Sequence, residues 1–160
     1  MARIELSLLV AAPPWRRFDL ARSIEAHVHS AVATGERAIG GRTAGLLGLG
    51  DEVTWRARHL GVWQDLTSRI TAFEPPLHFR DSMVRGAFAQ FDHDHYFEPT
   101  NGSTLLHDVF DYRAPLGPLG WLAERLFLSA YMRRLLLTRM RELKALAESD
   151  AWARFVPAAS

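Results

Sequence analysis

His93 and His95 stand two positions apart in GAFAQFDHDHYFEP, residues 86 to 99, interleaved with Asp92 and Asp94. Imidazoles beside carboxylates can do three kinds of chemistry: hold a metal ion, pass a proton with the carboxylate as orienting partner, or satisfy one another in a buried network. Side chains alternate along a strand, so Ala89, Phe91, His93, His95 and Phe97 share one face, opposite Gln90, Asp92, Asp94 and Tyr96. The first set is the more apolar, which makes it the inward face.

The neighbouring segments add carboxylates to that face. If PTNG, residues 99 to 102, closes a hairpin, then either His93 or His95 lies opposite Asp108, depending on turn type. Both registers put Thr104, Leu106, Asp108, Phe110 and Tyr112 beside the histidines. A tight turn at Arg85, Gly86 and Ala87 brings Phe79, Asp81 and Met83 to the same side. The expected cluster is Asp81, His93, His95 and Asp108, with His93 or His95 as the candidate general base or acid and the two aspartates as orienting groups. A buried hydrogen-bond network, a polar anchor for a bound molecule and a metal site all fit this set. The chain has no cysteine, so a metal would need a third nitrogen or oxygen ligand converging at about two ångströms, and no metal or other cofactor is expected.

The elements that carry these residues follow from periodicity. Ile4, Leu6, Leu8 and Val10 alternate with Glu5, Ser7 and Leu9 as in a strand with one face buried. Pro13 and Pro14 suit the start of one or two short helices in WRRFDLARSIEAHV, which leaves His27 and His29 near a helix end, at the surface. Glycines then leave room for a short strand at Arg37 to Ile39 and a loop. From Glu52 onward five strand-like segments are joined by short connections, so they form an antiparallel meander. A helix without internal glycine or proline is expected from Trp121 to Ala147.

Composition excludes several classes of function. The chain has 160 residues, 48% of them hydrophobic and 23% charged, as in one soluble domain spanning residues 1 to 160. Nineteen basic and 18 acidic residues, net +1, are mixed along it, so no nucleic-acid partner and no anionic membrane surface is expected. WLAERLFLSAYMRRLLL carries too much charge to span a membrane, and Glu5 interrupts the opening apolar run before it reaches signal-peptide length, which points to a cytoplasmic protein. GLLGLGD lacks the strand-then-helix setting of a phosphate loop, and neither G-x-S-x-G nor H-E-x-x-H occurs.

Several motifs occur in order: Val53-Thr54-Trp55 with Ala57 and His59, Pro76 with Phe79 and Asp81, Gly86 with Phe88, His93 with His95 and Phe97, and Asp108 with Tyr112 and Pro115. Together with the element order they resemble the SRPBCC superfamily, most closely a bacterial group of polyketide cyclase/dehydrase-like proteins. This superfamily also contains START-type lipid-transfer domains and birch-pollen-allergen-like proteins. The resemblance implies an α+β helix-grip fold, a curved antiparallel sheet wrapped around a long C-terminal helix, with short helices after the first strand. It also implies a hydrophobic cavity between sheet and helix, and no particular reaction.

Inward-facing residues are therefore candidates for contact with a small apolar or amphipathic ligand. From the sheet these are Trp55, His59, Phe79, Phe91, His93, His95, Phe97, Asp108 and Tyr112. From the helix, the stripe Leu122, Arg125, Ser129, Met132, Leu136, Met140 and Leu143 adds Arg125, Ser129 and Met132, with Arg125 either reaching solvent or standing at the cavity mouth. Three functions fit: a ligand-binding module, a cyclase/dehydrase-type enzyme using a His–Asp general base in the same cavity, and a partner protein whose cavity is filled by its own side chains. Leu126, Phe127, Ala130, Tyr131 and Leu137 make half of the helix apolar nearly all round, which calls for a covering loop such as GRTAGLLGLGD or for a homodimer through that helix.

Overall fold

Strand β1 (Ala2–Val10) buries Ile4, Leu6 and Val10 and turns Arg3, Glu5 and Ser7 outward, as its alternation predicts. A computed structural model describes residues 1 to 157. Helices α1 (Pro14–Arg22) and α2 (Ile24–Ser30) follow, with Pro14 in the first turn of α1. Ser23 ends α1 and caps α2, its Oγ accepting the Ala26 N–H at 3.2 Å.

Strands β2 (Arg37–Gly41), β3 (Glu52–His59), β4 (Val62–Glu74), β5 (His78–Arg85), β6 (Gln90–Thr100) and β7 (Ser103–Arg113) form an antiparallel meander. β1 closes its far edge by pairing with β7, which gives the order β1-β7-β6-β5-β4-β3-β2. The β6–β7 turn has two residues, Asn101 at φ 50° and Gly102 at φ 80°. Both lie in the left-handed region that such a turn requires, and this fixes Thr100 opposite Ser103 and His95 opposite Asp108.

The β5–β6 connection differs from the expected tight turn. It is a bend through Gly86 to Ala89. Phe88 folds inward there, its ring centroid 5.4 Å from that of Tyr112, while Ala89 is exposed. Burial of the larger apolar side chain decides the shape of the bend. The pairs Asp81 with His93 and Phe79 with His95 are unaffected.

The long helix begins earlier than expected and changes its winding. It runs as α3 (Gly117–Ala123), a π-helical turn (Glu124–Leu128) and α4 (Ser129–Ala147). Pro118 is tolerated in the first turn, where its missing N–H has no partner to lose. Gly120 passes close to the preceding strand end: a Cβ there would sit 1.9 Å from the Pro115 carbonyl oxygen.

In the π turn the Ser129 N–H bonds to the Glu124 carbonyl, five residues back. The extra residue shifts the helix phase by about 100° relative to an α-helix. Glu124 therefore takes the inward position expected for Arg125. It is buried, and its Oε1 accepts the Ala114 N–H at 2.6 Å. Arg125 turns outward and lies over Trp121, 5.0 Å from the ring centroid. Leu122 is likewise exposed, whereas Met132, Leu136, Met140 and Leu143 of the same expected stripe are buried.

The loop after β2 does not cover this helix. Leu46 bridges to Ser23 and Leu47 is buried, so the loop packs at the α1–α2 junction. Leu119, Trp121, Leu126 and Phe127 remain exposed. Among the described residues no helix is long and apolar enough to cross a membrane.

The contact at Gly120 yields a test whose sign separates two effects. Helix propensity alone makes Gly120→Ala stabilising by about 1 kcal/mol, whereas overpacking against the Pro115 carbonyl makes it destabilising by about 1–3 kcal/mol. We expect the loss in denaturant unfolding; a gain would mean that the strand end gives way freely.

Candidate functional site

The polar cluster lies where three adjacent strands face α1 and α4. Asp81 comes from β5, His93 and His95 from β6, and Asp108 from β7, with Asp81 opposite His93 and Asp108 opposite His95. His95 joins both carboxylates: Nε2 is 3.0 Å from Asp81 Oδ1 and Nδ1 is 3.3 Å from Asp108 Oδ1. A carboxylate only accepts, so both ring nitrogens must donate, and the ring is an imidazolium. Burial lowers its pKa, but the charge of Asp108 and the hydrogen bonds to Asp108 and Asp81 outweigh burial and raise it to about 9.

The carboxylates respond in the opposite direction. Burial pushes Asp108 up, and the charge of His95, its hydrogen bond and the adjacent His93 imidazole override it, holding this group well below the ordinary carboxylate range. Asp81 is also held low: the His95 hydrogen bond and the two imidazoles overcome its burial.

His93 is placed differently. Its ring centroid is 3.9 Å from that of His95, yet Nε2 is 3.4 Å from Asp108 Oδ2, Nδ1 is 3.9 Å from Asp81 Oδ1, and the buried Nε2 has no hydrogen-bond partner. His95 is thus tied on both sides, and His93 is the loosely held imidazole of the pair.

A second polar group, not anticipated from sequence, stands nearby. Glu36 is buried, accepting from Arg139 Nη2 at 2.8 Å and sitting 2.9 Å from His27 Nε2. Burial raises Glu36, but Arg139 and His27 pull it down to about 2. Burial, aided by the Arg139 charge, keeps the His27 pKa below its ordinary value, so at neutral pH the ring is uncharged and donates Nε2–H to Glu36. The His27 ring stacks on Trp55 with centroids 4.0 Å apart. His27 is therefore an inward residue, contrary to its expected place at the surface; His29 is exposed as expected.

Between the sheet and α4 lies a cavity of about 240 Å³. Trp55, Phe91, His93 and Phe110 form its sheet side, Leu128, Tyr131, Met132 and Leu135 its helix side, and the paired Glu36 and Arg139 also line it. His59 also lines it, with Nδ1 2.8 Å from the Tyr131 hydroxyl. A chamber of about 80 Å³ adjoins it, lined by Arg17, Phe79, Asp81, His93, His95 and Asp108 among others.

Of the expected contact residues, Trp55, His59, Phe91, His93 and Met132 line the larger space, and Phe79, His95 and Asp108 the smaller. Four lie outside both. Phe97 packs against Phe18, with centroids 5.3 Å apart. The fully buried Tyr112 spends its hydroxyl on Ser129 Oγ at 2.6 Å, which closes the wall there and removes both groups from the cavity. Arg125 is turned away by the π turn, so it does not stand at the cavity mouth. Arg139 could have been found from spacing, since it follows Met132 by seven residues and so shares its helix face. Arg17, His27 and Glu36 carry no comparable signal.

The raised pKa of His95 has a sign that can be measured. Its stabilising contribution is fully present below the ordinary histidine value of 6.5 and is lost as pH rises through about 9. Wild type should therefore lose stability relative to His95→Gln between these limits, by on the order of 2–3 kcal/mol. Parallel pH–stability curves for the two proteins would mean that His95 is not an imidazolium.

Asp81, His93 and His95 also bring ligand atoms within 4.8 Å of one another, close enough to consider a metal. Metal binding would first have to strip a proton from His95 and displace it from a carboxylate. Protein dialysed after purification should retain no stoichiometric transition metal, and one zinc per chain in elemental analysis would reverse this reading.

No family model matches the chain, and no curated protein matches it in sequence. Solved structures do match in shape. The crystal structure of TTHA0849 from Thermus thermophilus is 16% identical with a TM-score of 0.74, covering 90% of this chain and 95% of that one. Ara h 8.0201 is 11% identical with a TM-score of 0.66 over 91% and 97% of the two chains. Major latex-like protein 151 from Panax ginseng is 14% identical with a TM-score of 0.63 over 92% and 98%. With its seven-stranded antiparallel sheet closed around one long C-terminal helix, the chain has a helix-grip fold, shared with these three structures.

Proposed function

We propose that the protein binds one compact apolar or amphipathic molecule between the sheet and α4. The observation that carries this reading is the cavity of about 240 Å³, whose mainly aromatic and aliphatic walls are interrupted by a few polar groups, among them Glu36, His93 and Arg139. Burial of an apolar body supplies most of the affinity in such a space, and a few converging polar groups set orientation. Pockets for drug-sized molecules measure roughly 300–1,000 Å³, so the occupant is smaller than these.

One observation favours a second reading, an enzyme of the cyclase/dehydrase kind. His93 lines the cavity and its buried Nε2 has no hydrogen-bond partner, so it is the group free to take a proton from a bound molecule. His95 cannot serve as a base while it is held as an imidazolium. A reaction that survives His93→Gln would remove this reading.

The binding reading is tested by calorimetric titration of decanol, a neutral amphipathic probe. Wild type should bind it, and Leu135→Trp, which fills the helix side of the cavity, should abolish binding while leaving the far-ultraviolet circular dichroism unchanged. Undiminished binding by the filled variant would place the probe elsewhere and sink the proposal.

A further inference from the structure

The unmet hydrogen-bonding capacity of the interior is mostly that of donors. Among the described residues, the buried side-chain polar atoms without a partner are Arg16 Nε, Arg17 Nε and Nη1, His93 Nε2 and Arg139 Nε. All are nitrogens, and all but the first belong to residues lining the smaller chamber. The arginine nitrogens can only donate. Every carboxylate of the chamber is already engaged: Asp81 and Asp108 by His95, and Glu36 across its edge by His27 and Arg139.

Arg17 is the extreme case. It is 3% exposed, and the Phe97 ring centroid lies 6.0 Å from its guanidinium carbon. Burial lowers its pKa to about 10 against the attraction of Asp108, which leaves it charged at neutral pH. A buried guanidinium without an acceptor is costly, and folded proteins keep such a group where something else supplies the acceptor.

We propose that the smaller chamber receives the carboxylate end of an amphipathic ligand, held by Arg17, with the ligand's apolar body in the larger cavity. The proposal rests on the reading of the larger cavity as a ligand site. The two spaces adjoin and share Trp55, Asp81, His93 and Arg139 as walls. A carboxylate brings two oxygens and no donor, and its plane matches the guanidinium fork. The chamber, about 80 Å³ in volume, suits one small planar group. A phosphate or sulfate would bring more oxygens and, for phosphate, more charge toward Asp81 and Asp108.

Calorimetric titration of decanoate and decanol separates this proposal from the reading beneath it. Wild type should prefer decanoate. Arg17→Met should weaken decanoate roughly 10- to 100-fold, the scale of a lost charge-assisted hydrogen bond, and leave decanol nearly unchanged. Without ligand, Arg17→Met should also unfold at higher temperature than wild type, because it removes an unmatched buried charge. Arg17→Lys keeps the charge and loses the fork; it should show the same selective loss, and it provides the test if the methionine variant does not fold. If wild type binds the two probes equally, or the variants keep decanoate affinity, the chamber holds water and the assignment of Arg17 is overturned while the cavity reading stands. If wild type binds neither, both fall together.

Discussion

A positive charge enclosed in a protein must be met by acceptors, and the concave face of this sheet is arranged around one such charge. His95 bridges Asp81 and Asp108, which arrive from strands on either side of its own. A slip of one residue in either pairing would carry one carboxylate to the opposite face and leave the imidazolium half matched. The network thus ties β5, β6 and β7 into one register. Removing one member leaves an unpaired buried charge, which costs far more than the net strength of any one of these bonds.

The same requirement explains how the long helix is seated. Apolar contact through Met132, Leu136, Met140 and Leu143 presses α4 onto the sheet, but that stripe alone would tolerate rotation and sliding. Polar contacts at both ends remove this freedom. Arg139 reaches Glu36, and Glu124 receives the Ala114 N–H from the end of β7. The π turn reconciles the two ends, since without its extra residue Glu124 and the apolar stripe could not both face inward. Space remains between these anchor points because the side chains above it are held by their own partners: Tyr131 by His59 and Ser129 by Tyr112.

Much of this was legible in the residues, and the limits are physical. Strand alternation identified the inward faces of β1, β3, β6 and β7, because a period of two has only two phases and aromatic content chooses between them. The Asn101–Gly102 turn narrowed the β6–β7 register to two choices, both of which kept Asp108 with the histidines. Arg125 was misplaced because a helical wheel assumes constant winding, and nothing local marks the inserted residue at Glu124–Leu128. Arg17 and His27 lie on helices of nine and seven residues. On so short a helix the buried face is set by what it packs against, and the partners of these two come from distant strands. Phe88 was hidden for a related reason: a bend shapes itself around whichever apolar side chain can reach the core.

The pairing of β1 with β7 has a consequence for how the molecule comes into being. Arg3 and Asp111 are joined across a separation of 108 positions, so the first strand made waits for the last before its edge is satisfied. The meander from β3 to β7 consists of neighbours in sequence and can assemble as the chain emerges, whereas closing the β1 edge and laying α4 over the concave face require nearly the full chain. Assembly in that order would complete the space between sheet and helix late, leaving the aromatic floor and its histidines an open trough until α4 is laid over them.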